Sequence, residues 1–258
     1  MTSTTFLWIF LTGAIPGFLA TWLGIGGCFL RIPMMIALLG LPIKSAYGIN
    51  MAVISLTTIP GVVTHYRLRH VYNRGLASAA TGAGIGVIIG TELAVYVPGA
   101  TLKVIFGIAC IGVGIYMAYA AIKSKGRIPP RVTVDQAAGL RHGLGLSGLM
   151  LIAGIATGLC GFGGGIYYMP IFNALGYPMH IAIGTSSAQM IPVAGIGAAN
   201  LALHGYTRWT YVMAIGAITL LFSWLGARST KVVKAWLLKV IFGILIGLIG
   251  VSVAVGLI

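Results

Sequence analysis

Two glycine clusters interrupt the apolar segments of this chain at matching positions. The first cluster contains Gly24, Gly26 and Gly27, and the second contains Gly161, Gly163, Gly164 and Gly165. Glycine permits unwound backbone, and a helix that restarts after a break presents unpaired N–H groups and partial positive charge. Such breaks indicate an anion site that needs no charged side chain. Close packing of helices through small residues is the alternative.

Polar side chains inside the apolar segments are the next candidates for chemistry. Asn50, Thr185, Ser186 and Gln189 lie within about one helical turn of short glycine-containing elements that match between the two halves. Polar groups inside apolar segments usually face the interior of a helix bundle, where they pair with one another or with a substrate. A Ser or Thr hydroxyl can instead bond to a carbonyl of its own helix. We interpret these four residues as substrate ligands.

Four ionisable side chains also stand out by their position. A buried Arg31, four residues after the last glycine of the first cluster, would suit an oxyanion, although it could instead extend to the membrane interface. His65 and His204 end two apolar segments, where they could bind an anion, carry a proton or cap a helix. Glu92 is the only acid inside an apolar segment, so we predict a role in ion coupling. Pairing with a nearby Arg and a position near the outer interface are the alternatives.

The composition places these residues in a membrane protein. Of the 258 residues, 59% are hydrophobic and 7% are charged, whereas a soluble domain carries about 25% charged residues. The chain has room for about eight to ten transmembrane helices of roughly 20 residues. Its cations flank apolar segments, which is typical of membrane topology and not of nucleic-acid binding. Metalloprotease and serine-hydrolase motifs are absent, and the three cysteines form no CxxC pair. We therefore expect no enzyme activity, cofactor or metal.

Hydropathy divides the chain into two halves of about four to five segments each. We predict an all-α membrane protein with a first repeat at 1–122, a basic cytoplasmic linker at 123–141 and a second repeat at 142–258. Apolar segments fall at about 6–28, 29–41, 45–66, 76–97, 99–122, 142–160, 162–175, 180–204, 209–227 and 236–258. Segments 29–41 and 162–175 are too short to span comfortably. Each could be a crossing or part of a hairpin that enters and returns.

The distribution of Lys and Arg predicts the orientation. Three loops, near 67–74, 123–141 and 228–234, are rich in these residues, and the loops between them hold only Lys103 and Arg208. Short basic loops stay in the cytoplasm. Both termini are therefore predicted to lie outside a cell (inner) membrane that the chain crosses several times. The second half is predicted to be inverted relative to the first.

The repeat is also visible in the residues themselves. Half one reads GIGGCFLRIP from Gly24, and half two reads GFGGGIYYMP from Gly161. Gly40-Leu-Pro42 then matches Gly176-Tyr-Pro178, and Ala46-Tyr-Gly48-Ile-Asn50 matches Ala182-Ile-Gly184-Thr-Ser186. Inverted repeats with glycine-interrupted helices at equivalent positions are typical of secondary transporters and indicate the substrate site.

With these twin GxGG…P cores, the Gly184-Thr-Ser186 element and the His65-x-Arg67 element, the chain resembles the TauE/SafE family of membrane transporters. The resemblance implies a small sulfur-containing anion, such as sulfite, a sulfonate or a sulfoacetate-like compound, as substrate. We predict a secondary transporter that moves this anion across the lipid bilayer by alternating access. An anion channel and a transporter of another small organic anion are the alternatives. No nucleic-acid partner is expected. A proton or sodium co-substrate and a homo-oligomer both stay open.

Overall fold

The computed structural model describes residues 3–23, 27–123, 140–229, 244, 246–253 and 255. Every regular element in these residues is helical, which confirms the predicted all-α class. The helices are α1 (Ser3–Leu23), α2 (Cys28–Leu39), α3 (Ile43–Arg67), α4 (Asn73–Tyr96), α5 (Gly99–Lys123), α6 (Leu140–Cys160), α7 (Gly165–Ala174), α8 (Met179–Leu203) and α9 (Trp209–Ser229). Residues 246–253 are also helical. Most of the predicted basic linker, 124–139, lies outside the described residues, as does most of the loop after α9.

Helix length separates membrane-crossing helices from half-length ones. Helices α3, α4, α5, α6 and α8 are long and apolar enough to cross a bilayer. Helices α2 and α7 have only 12 and 10 residues. At about 1.5 Å of rise per residue they are roughly half as long as the bilayer core of about 30 Å is thick. The two short predicted segments are therefore half-helices.

The Gly-x-Pro turns explain where these half-helices end. Gly40 and Gly176 adopt positive φ angles of 61° and 88°, which a side chain would resist. Pro42 and Pro178 then occupy the N-cap positions of α3 and α8. Proline suits a helix start, because the first backbone N–H groups of a helix have no partner within it.

Helices α3 and α8 form the centre of the fold and run antiparallel. Gly48, near the start of α3, packs against Leu201 near the end of α8. One and a half to two turns further along α3, the Ser55 hydroxyl donates a 2.9 Å hydrogen bond to the carbonyl of Ile191. The partner number on α8 falls as the number on α3 rises, so the two helices run in opposite directions.

Glycines allow close contact between α4 and α6. A Cβ atom at Gly82, Gly86 or Gly90 of α4 would lie within 2.1–2.3 Å of a carbonyl oxygen of α6. Such spacing of small residues is common where membrane helices pack backbone to backbone. Helix α1 packs on α9 in the corresponding way, through Gly13 and Gly17. Each of these two pairs joins a helix of the first half to a helix of the second half, as two related repeats would do. The inverted repeat itself stays a prediction.

Helices α6 and α7 form a hairpin. The Ser147 hydroxyl, two turns into α6, donates a 2.7 Å hydrogen bond to the carbonyl of Ser78 near the start of α4. After α7 the chain returns to the same place, because the Tyr177 ring lies 5.8 Å from the ring of Tyr72. Both ends of the α6–α7 pair therefore lie at one end of α4. For segment 162–175, the structure supports a hairpin that enters and returns.

Candidate functional site

The second glycine cluster forms the tip of the α6–α7 hairpin. Gly161, Gly163 and Gly164 have φ angles of 67°, 69° and 91°. These left-handed values disfavour any residue with a Cβ atom, so the sequence can turn here only with glycine. Gly165 begins α7. In the first cluster, Gly27 precedes α2 and is buried against Pro16 of α1. Gly24 and Gly26 lie outside the described residues.

Apolar side chains of α3 and α5 pack against the hairpin tip. Phe162 is fully buried, and its ring centroid lies 5.0 Å from that of Phe106 on α5. A Cβ atom at Gly161 would lie 2.5 Å from the Tyr47 ring, and one at Gly163 would lie 2.6 Å from Ile54. The tip therefore contacts α3 on both sides of Asn50.

Asn50 connects the hairpin tip to the half-helix α2. Its side-chain amide nitrogen donates a 2.6 Å hydrogen bond to the carbonyl of Gly161. Its amide oxygen accepts a 3.0 Å hydrogen bond from Nη1 of Arg31. Asn50 is fully buried, so both bonds form away from water. The structure thus brings together Asn50 of the first half and Gly161 of the second half, both of which the sequence analysis selected.

Arg31 is almost completely buried, with 1% of its surface exposed. It therefore does not extend to the membrane interface. Its Nη2 donates a 3.4 Å hydrogen bond to the Thr219 hydroxyl of α9, which in turn donates to the carbonyl of Gly13. Its Nε has no hydrogen-bond partner among the described residues. We name Arg31, Asn50, Thr219 and the Gly161 carbonyl the Arg31 cluster.

The Arg31 cluster contains no carboxylate. The chain has only two acids, Glu92 and Asp135. Glu92 pairs elsewhere, and Asp135 lies outside the described residues. A buried charge is costly unless an opposite charge or several hydrogen bonds compensate it. No described residue therefore balances the positive charge of Arg31, and a buried charge without such a partner favours the binding of an anion.

Glu92 lies in a second polar cluster, between α4 and α8. Its carboxylate accepts a 3.2 Å hydrogen bond from Asn200 and lies 3.6 Å from Nε2 of His204. Asn200 also donates to the hydroxyl of Thr91. The Glu92 and His204 side chains are 40% and 31% exposed. We name these four residues the Glu92 cluster. Among the described residues, His204 and not an arginine is the ionisable partner of Glu92.

His65 lies far from Asn50. The two residues are 15 positions apart on α3, or about 22 Å along the helix axis. The His65 ring lies 5.9 Å from that of His70, which lies 4.9 Å from that of His180. These three histidines surround the loop between α3 and α4. Tyr177 packs on Tyr72 of the same loop. Burial and the neighbouring Tyr72 raise the pKa of Tyr177, so its phenol stays neutral.

The polar residues of α8 point to different partners. Thr185 accepts a 3.1 Å hydrogen bond from the backbone N–H of Tyr72. The Ser186 hydroxyl donates to the carbonyl of Ile183 in its own helix, as the alternative interpretation expected. Gln189 donates to the carbonyl of Ala79, and its side-chain oxygen has no partner among the described residues. Their part in substrate binding stays a prediction.

Thr219 is the residue that sequence reasoning missed. It is 188 positions from Arg31 and belongs to no motif. Threonine is common in apolar helices, where it often bonds to its own helix. Only the packing of α9 on α1 brings Thr219 to Arg31, so no local signal could have identified it.

The fold and the Arg31 cluster define a multi-pass helical membrane protein with a polar site inside its bundle. The chain belongs to the sulfite exporter TauE/SafE family, whose sequence profile matches residues 9–253. This confirms the family resemblance.

Relatives described as probable membrane transporter proteins support this assignment. One from Xylella fastidiosa is 28% identical over 81% of this chain and 79% of its own length. One from Bacillus subtilis is 22% identical over 90% of this chain and 91% of its own length. One from Methanocaldococcus jannaschii is 26% identical over 82% and 77%. No solved structure matches. The chain is thus a membrane transporter by family.

Proposed function

We propose that this protein is a secondary transporter that moves a small sulfur-containing anion across the cell (inner) membrane by alternating access. The observation that carries the proposal is the buried Arg31, whose described hydrogen-bond partners are all neutral. A transported anion would supply the missing negative charge. The predicted orientation, with both termini outside, belongs to the same proposal.

The geometry of the Arg31 cluster favours an oxyanion. A guanidinium group offers several N–H donors in one plane, and this arrangement matches two oxygens of one ligand. Among the described residues, Arg31 Nε has no acceptor. Sulfite and sulfonates present three oxygens around one sulfur atom and could accept from it. The start of α7 beside the Gly161 turn would add N–H groups and partial positive charge.

The sulfur atom in the proposed substrate rests on the family and not on the geometry. The family is described as sulfite exporters. Phosphate or a carboxylate would meet the same donors, so a transporter of another small organic anion is the alternative with the same site. Substrate competition is the experiment that separates these anions.

An anion channel is the second candidate function. A channel needs a continuous aqueous path, whereas a carrier can enclose its site between two gates. Arg31 is 1% exposed and Asn50 is fully buried, which supports a carrier with an enclosed site. The proposal therefore predicts slow and saturable flux.

Flux into proteoliposomes tests the proposal. We expect radiolabelled sulfite uptake to saturate with concentration and to be reduced by unlabelled sulfonates more than by chloride or phosphate. Arg31→Gln should reduce this uptake about 30-fold or more. Arg74→Gln, which removes an exposed arginine at the start of α4, is the matched control and should retain it. Fast flux that does not saturate would indicate a channel. Flux that Arg31→Gln leaves unchanged would refute the site.

A proton or sodium ion is the proposed co-substrate, and the Glu92 cluster is its proposed site. Glu92 is a half-exposed carboxylate in contact with a histidine, and side chains of these two types commonly carry protons in proteins. Dependence of uptake on an imposed proton or sodium gradient, and loss of that dependence in Glu92→Gln, would support this assignment. Gradient dependence that survives in Glu92→Gln would contradict it.

A further inference from the structure

Two short loops lie across the ends of the central α3–α8 pair. The loop at 68–72 joins α3 to α4, and the loop at 204–208 joins α8 to α9. Each loop packs on the central helix of the opposite half of the chain. The α3–α4 loop rests on α8, and the α8–α9 loop rests on α3.

The α3–α4 loop meets α8 at Gly184. A Cβ atom at Gly184 would lie 2.2 Å from the carbonyl oxygen of His70. Beside this contact, the backbone N–H of Tyr72 donates a 3.1 Å hydrogen bond to the Thr185 hydroxyl. The loop is thus in backbone contact with α8, and only glycine leaves room for it.

The α8–α9 loop meets α3 at Gly48 in the same manner. A Cβ atom at Gly48 would lie 2.5 Å from the Thr207 hydroxyl oxygen and 3.3 Å from its Cα atom. Thr207 in turn donates a 3.1 Å hydrogen bond to the carbonyl of Ala198. Gly205, with a φ angle of 75°, lets the loop turn back towards α3.

The two glycines are equivalent in sequence and lie at opposite ends of the bundle. Ala46-Tyr-Gly48 aligns with Ala182-Ile-Gly184, and the antiparallel packing of α3 and α8 separates the two positions. Asn50 of the Arg31 cluster follows Gly48 by two residues. The α8–α9 loop therefore closes the near end of the central pair, and the α3–α4 loop closes the far end.

We propose that the α8–α9 loop and the α3–α4 loop are the two gates of the anion site, and that Gly48 and Gly184 are the surfaces on which they close. This inference rests on the proposed transport function. A carrier must open one end at a time, and a short loop held by a few local contacts can open at a modest cost in free energy. Glycine lets each loop dock closely without fixing it through a large apolar contact.

Thiol accessibility tests the gates without measuring transport. Ala52 and Ala188 lie four residues, or about one turn, after Gly48 and Gly184, and both are buried. Either can be changed to cysteine in a background lacking the three native cysteines. The labelling rate with a membrane-impermeant maleimide, measured on intact cells and on inverted vesicles, then reports opening at each end.

Gly184→Ala should displace the α3–α4 loop and increase labelling of Ala188→Cys from one side of the membrane. Labelling of Ala52→Cys should not increase, because a carrier opens one end at a time. Gly48→Ala should do the reverse, from the opposite side. Overpacking of this kind shifts such an equilibrium by roughly five- to 150-fold. Gly61→Ala is the matched control, because a Cβ atom there meets nothing within 4 Å, and it should change neither rate.

A milder variant keeps the test decisive if Gly184→Ala does not fold. Thr185→Val removes the acceptor for the Tyr72 N–H without adding volume, and it should increase labelling of Ala188→Cys by roughly two- to tenfold. Equal effects at both ends, or no effect of the folded variants, would overturn the gate assignment. Loss of sulfite flux without any change in labelling would also overturn the gate assignment. The proposed function would fail separately, through unchanged flux in Arg31→Gln.

Discussion

Arg31 and Glu92 both lie in apolar helices, but their burial and their partners differ. Arg31 is 1% exposed, and its described hydrogen-bond partners are the neutral side chains of Asn50 and Thr219. Glu92 is 40% exposed and has an ionisable partner, His204, at 3.6 Å. Among the described residues, Arg31 has no partner of opposite charge, whereas Glu92 is half-exposed and has an ionisable partner.

This difference separates two functions that sequence alone could assign to either residue. A buried unbalanced charge attracts a ligand of opposite sign, because the ligand restores the electrostatic balance that the fold lacks. A half-exposed carboxylate and histidine already have each other as partners, and side chains of these types commonly carry protons in proteins. Arg31 is therefore the proposed anion site, and Glu92 is the proposed coupling site.

Removing the unbalanced charge should have the largest effect. Arg31→Gln keeps a donor for Asn50 but has no charge, so we expect sulfite uptake to fall about 30-fold or more. The thermal stability of the anion-free protein should not fall, because the cost of burying the charge is also removed. Uptake and melting temperature, measured on the same preparation, check both expectations. A variant that unfolds would indicate a structural role for Arg31.

Placing a carboxylate beside Arg31 should give it an ionisable partner within the protein, as Glu92 has, and remove its need for a bound anion. Asn50→Asp places a carboxylate beside the guanidinium, whereas Asn50→Leu has a similar shape and no charge. We expect anion-free Asn50→Asp to be more stable than Asn50→Leu by about 1–3 kcal/mol in chemical denaturation. It should also lose its stabilisation by sulfite. Retained stabilisation by sulfite would contradict the assignment of Arg31 as the site of negative charge.

Loosening the hold on Arg31 should have a moderate effect. Thr219→Val removes the hydroxyl that accepts from Arg31 Nη2 while keeping the size of the side chain. We expect the KM for sulfite uptake to rise roughly two- to tenfold, with little change in the maximal rate. Thr219→Ser retains the hydroxyl and should behave like the wild type. A fall in maximal rate alone would show that Thr219 does not act through substrate binding.

Neutralising the balanced pair should have the smallest effect on anion binding. Glu92→Gln keeps an acceptor for Asn200 and removes the charge, and exposed pairs contribute about 0–1 kcal/mol. The Kd for sulfite should therefore change by no more than about fivefold. The dependence of uptake on the driving gradient should be lost in Glu92→Gln and equally in His204→Gln. Different outcomes for these two variants would show that the pair does not act as a unit.

Local sequence patterns predicted the helices because their signals are local. The segment predicted at 45–66 corresponds to α3 (Ile43–Arg67), and the one at 209–227 corresponds to α9 (Trp209–Ser229). The first segment was predicted to reach residue 28, whereas Cys28 is the first residue of α2, after the glycine cluster. Apolar periodicity alone does not mark a break that glycines create.

The arrangement of the site could be predicted only in part. Asn50, Arg31 and Gly161 were identifiable because a polar residue or a glycine cluster in an apolar chain is unusual. Their contact is not visible in the sequence, since it depends on how the α6–α7 hairpin packs on α3. The packing of the α3–α4 loop on α8 places Thr185 at a loop contact, although its residue type is equally compatible with substrate binding.

Binding of anions to the purified protein tests the central claim most directly. The melting temperature should be measured with sulfite, sulfate, thiosulfate, taurine, sulfoacetate and an aromatic sulfonate, with chloride and phosphate as controls. A ligand that binds only the folded state raises apparent stability as its site saturates. We predict saturable stabilisation by at least one sulfur anion in the wild type and in Arg74→Gln, and none in Arg31→Gln. Equal stabilisation of Arg31→Gln, or a response to cations or neutral solutes alone, would contradict the account.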